Sequence, residues 1–209
     1  MLGQIAAFTI AATIITVSPG PDMALVARRA MTNGWRAANV TSAGVLSGLL
    51  VHATAAAIGI SAILVRSATA FMVLKVVGAC CLLVLGILSF RAARQSARGQ
   101  HLVEEAPPAR SARTNFLQGF LNNVLNPKPS LFYFAVLPQF VERGDPVLLL
   151  TAILVAIHVA IGIVWLVAWG WLAGRAGAAL MRPRWRAVLE SATGAVLVAF
   201  GLRLAATNR

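Results

Sequence analysis

Few side chains in this sequence can do chemistry, and those few stand inside apolar runs. Asp22 closes the segment Ser18-Pro19-Gly20-Pro21-Asp22, and Lys128 lies within Asn126-Pro127-Lys128-Pro129, a second Pro-x-Pro motif that begins 108 residues after the first. Asp22 offers a carboxylate for a substrate ammonium or a coupling proton. Its plainer role is to favour a helix N-terminus from the first turn. Lys128 offers an ammonium that can hold a carboxylate, against the alternative of a structural ion pair with Asp22. An imidazole in water changes charge near neutral pH, so His52 and His158 are candidates for a proton relay, although a packed core histidine is the commoner case. An ionisable group inside an apolar span costs several kcal/mol and by default marks a cavity or a partner. Lys75 and Glu190 sit nearer their span ends, where snorkelling to the interface explains them, and neither is expected to act.

The elements that must position these groups are membrane helices. Of the 209 residues 59% are apolar and 11% charged, and the mean hydropathy is +0.80. This composition lies outside that of soluble domains. A hydrocarbon core about 30 Å thick takes roughly 20 apolar residues per helix, and apolar runs fall near 2–27, 38–65, 68–90, 115–140, 147–173 and 186–206. The runs are too long and too little alternating for barrel strands. The expected fold is an all-α integral membrane protein of about six transmembrane helices in one transporter domain, 1–209. Repeat one covers about 1–90, a linker about 91–114 and repeat two about 115–209. Turns are expected at Thr32-Asn33-Gly34, at Arg66-Ser67 and around Glu142 to Pro146, and the linker carries Pro107-Pro108. No basic region precedes the first apolar run, so the first span is expected to be retained.

Each Pro-x-Pro motif predicts a new helix start inside a span. Ser18 or Asn126 would cap, the next proline would take the first helical position, and Pro21 or Pro129 would fall where N–H groups are unpaired anyway. An interior proline costs about 3 kcal/mol, and non-helical backbone at membrane depth survives only where protein or a water-filled cavity lines it. Each break also aims the positive end of a half-helix at such a cavity, where a substrate carboxylate can bind.

The formal charge of +12 sits between the apolar runs, so it reads as a topology signal rather than a nucleic-acid footprint. Twelve arginines (Arg28, Arg29, Arg36, Arg91, Arg94, Arg98, Arg110, Arg113, Arg175, Arg182, Arg184, Arg186) fall on one side, against Arg66, Arg143, Arg203 and Arg209 on the other. This places the linker in the cytoplasm and both termini outside it. Three spans per half then cross in opposite senses, as in inverted-repeat transporters with helices 1 and 4 broken. Ala57-Ile58-Gly59-Ile60 and Ala160-Ile161-Gly162-Ile163 echo each other imperfectly across the halves. Gly44-x-x-x-Gly48 and Gly170-x-x-x-Gly174 permit close helix approach, within the bundle or at a dimer seam. Trp165, Trp169 and Trp171 read as packing or interfacial anchors. Cys80 and Cys81 are adjacent, lack redox or metal spacing and read as inert.

Thr16-Val17-Ser18-Pro19-Gly20-Pro21-Asp22, Gly34-Trp35-Arg36-Ala37-Ala38, Gly119-Phe120-Leu121-Asn122-Asn123-Val124-Leu125-Asn126-Pro127-Lys128 and Leu137-Pro138-Gln139-Phe140 together resemble the lysine exporter superfamily, LysE/RhtB type. The resemblance runs over essentially the whole chain. It implies a bacterial cytoplasmic-membrane transporter exporting amino acids such as threonine, homoserine, leucine, cysteine or lysine, driven by the proton gradient. Some relatives carry an acidic residue in the second span where this chain reads Gly48-Leu49-Leu50-Val51-His52.

The expected substrate and ion pathway is therefore Ser18, Pro19, Gly20, Pro21, Asp22, His52, Asn126, Pro127, Lys128, Pro129 and His158, with rocking of one half against the other. Asn122 and Asn123 crowd the second break and can satisfy its freed backbone or line the path. Expected partners are an amino-acid substrate, protons and the lipid bilayer, with room for a homo-oligomer and none for nucleic acid. No cofactor, metal site or enzymatic activity is expected. A metal-ion exporter of the same superfamily lacks a cluster at ligand spacing, and an intramembrane hydrolase lacks a Gly-x-Ser-x-Gly turn.

Overall fold

A computed structural model describes residues 2–66, 68–98, 111–141, 146–180 and 183–207. Residues 99–110 of the linker with Pro107-Pro108, Ser67, and Glu142 to Asp145 lie outside the described residues, as does the side chain of Lys75. Among the described residues the chain is wholly helical. The helices are α1 (Leu2–Val17), α2 (Pro21–Arg66), α3 (Ala68–Ala97), α4 (Ala112–Val124), α5 (Pro127–Val136), α6 (Val147–Leu180) and α7 (Pro183–Thr207), and a 3-10 turn at Leu137–Phe140 extends α5. Three stretches, Pro21–Gly59, Val76–Ala97 and Val147–Ala176, are long and apolar enough to cross a membrane. At 1.5 Å per residue α1 is about 24 Å long, α4 about 20 Å and α5 about 15 Å, each short of a bilayer core.

The turn expected at Thr32-Asn33-Gly34, between the first two apolar runs, contracts to one residue. Gly34, at φ 79° and ψ 173°, is the one residue of α2 outside helical geometry, and glycine adopts that positive φ without a Cβ clash. Thr32 Oγ1 donates to the Arg28 carbonyl at 2.9 Å and Arg29 Nη1 to Asn33 Oδ1 at 3.1 Å. These bonds keep the turn before Gly34 helical. Likewise α3 runs to Ala97 instead of ending near 90, because Ser96, fully buried, donates to Glu190 Oε2 of α7 at 2.8 Å. Glu190 is thus a buried partner in the α3–α7 interface and not an interfacial side chain.

Two seams join elements that are remote in sequence. α3 packs along α7, where the carbonyl of Gly194 and that of Gly86 would each crowd a methyl added to the other glycine. α2 packs along α4, and there the backbones touch: a Cβ on Gly44 would overlap the Phe116 carbonyl, and one on Gly119 the Thr41 carbonyl. Gly44-x-x-x-Gly48 therefore packs inside the bundle. Gly170 and Gly174 face Ala38 and Ala30 of α2. Apolar clusters fill the space on either side of the helix breaks. Phe8, Phe132, Tyr133 and Leu154 form one, and Met23, Val26, Leu166 and Trp169 the other.

Overpacking a core costs about 1–3 kcal/mol even where side chains can shift, and a carbonyl cannot. Gly44→Ala is expected to lower the thermal unfolding midpoint of the detergent-solubilised protein by several degrees, whereas Gly59→Ala, which meets nothing within 4 Å, leaves it unchanged or slightly raised, since alanine is the better helix former. Equal midpoints for the two variants would argue against the seam.

Candidate functional site

The two breaks lie across each other, and each charged residue reaches the end of the opposite half-helix. Lys128, in the first turn of α5, donates from Nζ to the Ser18 carbonyl at 2.7 Å and more distantly to that of Pro19 at 3.4 Å. These carbonyls close α1, the end of a helix that favours a cation. Asp22, in the first turn of α2, accepts three side-chain amides from the end of α4 and just beyond it. Asn122 Nδ2 donates to Oδ1 at 2.7 Å, and Asn123 and Asn126 donate to Oδ2 at 2.9 and 3.1 Å. Hydrogen bonds to a carboxylate are roughly twice as strong as neutral ones. The ammonium of Lys128 is spent on backbone carbonyls and the carboxylate of Asp22 on amides, so each holds the other's half of the chain.

Asn126 does two jobs at once. Its Oδ1 accepts the Lys128 N–H at 3.0 Å, capping α5 with Pro127 at the first helical position, while its Nδ2 holds Asp22. The first break differs from the expected plan. Ser18 is not a cap: its N–H bonds back to Ile14, and α2 starts only at Pro21, whose preceding residue Gly20 accepts from the Ala24 N–H at 3.0 Å. Gly20 has high backbone entropy and no capping side chain to pin it. The corresponding Lys128 is held helical by Asn126.

The two histidines have different places. His158 of α6 bonds through Nε2 to Thr16 Oγ1 at 3.1 Å and through Nδ1 to the Tyr133 hydroxyl at 3.0 Å. Thr16 spends its hydroxyl proton on the Ala12 carbonyl at 2.6 Å, so it accepts from Nε2–H and leaves Nδ1 to accept from Tyr133. The neutral imidazole is thereby fully satisfied. His52 Nε2 lies 3.0 Å from the Asn123 carbonyl, tying α2 to the end of α4. It steadies one of the amides that hold Asp22 and does not line the cavity.

That cavity runs between α1, α2, α5 and α6. Its polar end is made by Ser18, Gly20, Asp22, Asn126 and Lys128, with His158 on one flank, and its apolar end by Val45, Leu46, Leu49 and Leu166 around Gly162. About 60 Å³ is open to the centres of water-sized atoms, room for about four waters at the roughly 10–15 Å³ each needs. On the far side of Asn126 a second, wider hollow is lined by Pro21, Leu25, Gln118, Asn122 and Pro127. Asn126 borders both. Asn123 spends its amide nitrogen on Asp22 and buries Oδ1 against Gly48 with no hydrogen-bond partner, a cost of about 1–3 kcal/mol.

Several residues here escaped the sequence reading. Arg29, counted above as a topology signal, is fully buried and binds Gln118 of α4 as well as Asn33. Successive helix residues point about 100° apart, so its neighbour Arg28 gave no hint of it. Tyr133 and Thr16 were passed over because nothing local marks them as partners of His158.

Comparison with known proteins bears on this arrangement, because the family model for LysE type translocators matches residues 13–208, both breaks included. The chain belongs to the LysE type translocator family. This LysE-type chain is 28% identical to the homoserine/homoserine lactone efflux protein of Salmonella typhi over 97% of its own length and 96% of the relative's. It is 31% identical to the threonine efflux protein of Salmonella typhi over 67% and 68%, and 28% identical to the uncharacterized membrane protein YrhP of Bacillus subtilis over 92% and 93%. No solved structure matches it.

The double duty of Asn126 in this LysE-type chain separates two substitutions. Asn126→Ser keeps a cap and loses the donor to Asp22. Asn126→Asp keeps the cap and sets a second carboxylate against the first, where like charges in close contact repel. Asn126→Asp should therefore unfold at the lower temperature near neutral pH, and the reverse order would mean that the bond to Asp22 contributes little.

Proposed function

We propose that this protein is a secondary exporter of amino acids or closely related small metabolites, working by proton antiport in a bacterial cytoplasmic membrane. The observation that carries the reading is the pair Asp22 and Lys128, opposite charges on crossed helix breaks beside one cavity. An α-amino acid is the complementary object. Its ammonium would take the carboxylate of Asp22 from the three asparagine amides, and its carboxylate would take the ammonium of Lys128 from the Ser18 and Pro19 carbonyls. Each exchange replaces charge-assisted hydrogen bonds to neutral groups by a direct pairing of opposite charges, so binding leaves no buried charge unpaired. Asp22 would carry the coupling proton when the substrate ammonium has left. The names of the efflux relatives in Salmonella support the same class of cargo.

The cavity as it stands has room for a few waters and is too small for an amino acid, so transport requires it to open. α1 and the start of α2 would cross together as one broken span and α4 with α5 as another. The remainder of α2 beyond Gly34, α3, α6 and α7 complete six spans in two inverted repeats, with both termini outside and the linker in the cytoplasm. The short lengths of α1, α4 and α5 support this pairing. A metal-ion cargo is less well served: the lining offers one carboxylate and one imidazole beside an ammonium, a set that hard and borderline cations bind poorly.

The test is efflux of a panel of preloaded amino acids from cells with and without the protein. The expected result is faster loss of one class, slowed by a protonophore, and at least about tenfold lower for Asp22→Asn although that variant still inserts. Undiminished efflux by Asp22→Asn would remove Asp22 from the mechanism. For the topology, reporters fused after Arg98 and after Arg209 should lie inside and outside respectively, and a shared side would end the six-span plan.

A further inference from the structure

The cavity contains a glycine that the fold does not require. Gly44, Gly119 and Gly194 each face backbone atoms of another helix, so a methyl there would force two helices apart. Gly162 differs. The only atom within 4 Å of a methyl placed on it is Cδ2 of Leu46, at 2.6 Å, the free end of a flexible side chain. Gly162 lies in the middle of α6 with no positive φ, where glycine costs about 0.5–1 kcal/mol relative to alanine. Neither a turn nor a close helix crossing explains it. What it supplies is a seat for the Leu46 side chain, which fills the place a methyl would take and would be pushed toward the cavity by a larger residue. The seat is one turn from His158 and one from Leu166 along the same face of α6.

The charges of the lining limit what the cavity can hold. Asp22 and Lys128 match one ammonium and one carboxylate, and the wall opposite Gly162 is hydrocarbon from Val45, Leu46 and Leu49. A further charge on the substrate would enter this wall unpaired, which is costly. Resting on the amino-acid reading, we infer that Gly162 is the specificity position: the substrate is a zwitterionic amino acid with an uncharged side chain that points at Leu46, and how far Leu46 withdraws onto Gly162 sets its length.

The experiment compares efflux of alanine, threonine, leucine and lysine by the wild type, Gly162→Ala and Leu46→Ala. One methylene in an apolar pocket is worth about 10–200-fold in discrimination. The ratio of short to long neutral substrates should accordingly rise about tenfold or more in Gly162→Ala and fall in Leu46→Ala, with lysine left behind by the wild type. Unchanged ratios in both variants, or wild-type export of lysine as fast as the neutral panel, overturn the inference and leave amino-acid export standing. If Gly162→Ala fails to insert, the direction of the Leu46→Ala shift decides. Absence of any protein-dependent amino-acid efflux in the wild type removes the amino-acid reading, and the inference falls with it.

Discussion

A helix that stops inside an apolar bundle leaves carbonyls at its end and N–H groups at the start of the next, and each of these has to find a partner. The structure meets this demand across the halves, with Lys128 on the carbonyls at the end of α1 and His52 of α2 on the Asn123 carbonyl at the end of α4, and a second tie between side chains lies beside them. The cation that begins α5 binds the carbonyls that end α1, and the anion that begins α2 is bound by amides at the end of α4. Because each tie joins different halves of the chain, satisfying the backbone and assembling the halves are the same event. The polar end of the cavity exists where they meet, and the arrangement of α1, α2, α4 and α5 follows from it.

The positions of the breaks could be read from sequence because proline's missing N–H and fixed φ act locally. The partners of Asp22 could not, since which asparagines face it depends on how α4 is rotated against α2. The same limit explains the histidines. Both sit in apolar runs far from their span ends and look equivalent in sequence, yet one lines the cavity between a threonine and a tyrosine while the other braces a backbone carbonyl. Composition and spacing report that a polar side chain is inside, and only packing decides what it touches.

Local chemistry misled the reading in two further places. The turn signal at Thr32-Asn33-Gly34 suggested a loop, but the side chains before Gly34 satisfy helical backbone and each other, so one glycine suffices to redirect the chain. The arginine census treated every basic residue near a span end alike, although Arg29 is turned inward onto Gln118. Charge counts average over side-chain direction. They speak to the orientation of a span and not to the work of a single residue.

The glycine seam between α2 and α4 has a mechanical consequence. Backbones in direct contact can neither roll nor slide over one another without a clash, since no side chain lies between them to yield. This seam and the one between α3 and α7 each join an early helix to a late one, so the two halves of the sequence are bolted together along much of their length. Compliance is left to the short segments that end at the breaks, α1, the first turns of α2, and α5, which are held by hydrogen bonds that a ligand can replace. The protein is thus built as a stiff frame carrying a few movable bars, and the bars are the pieces that carry the charges.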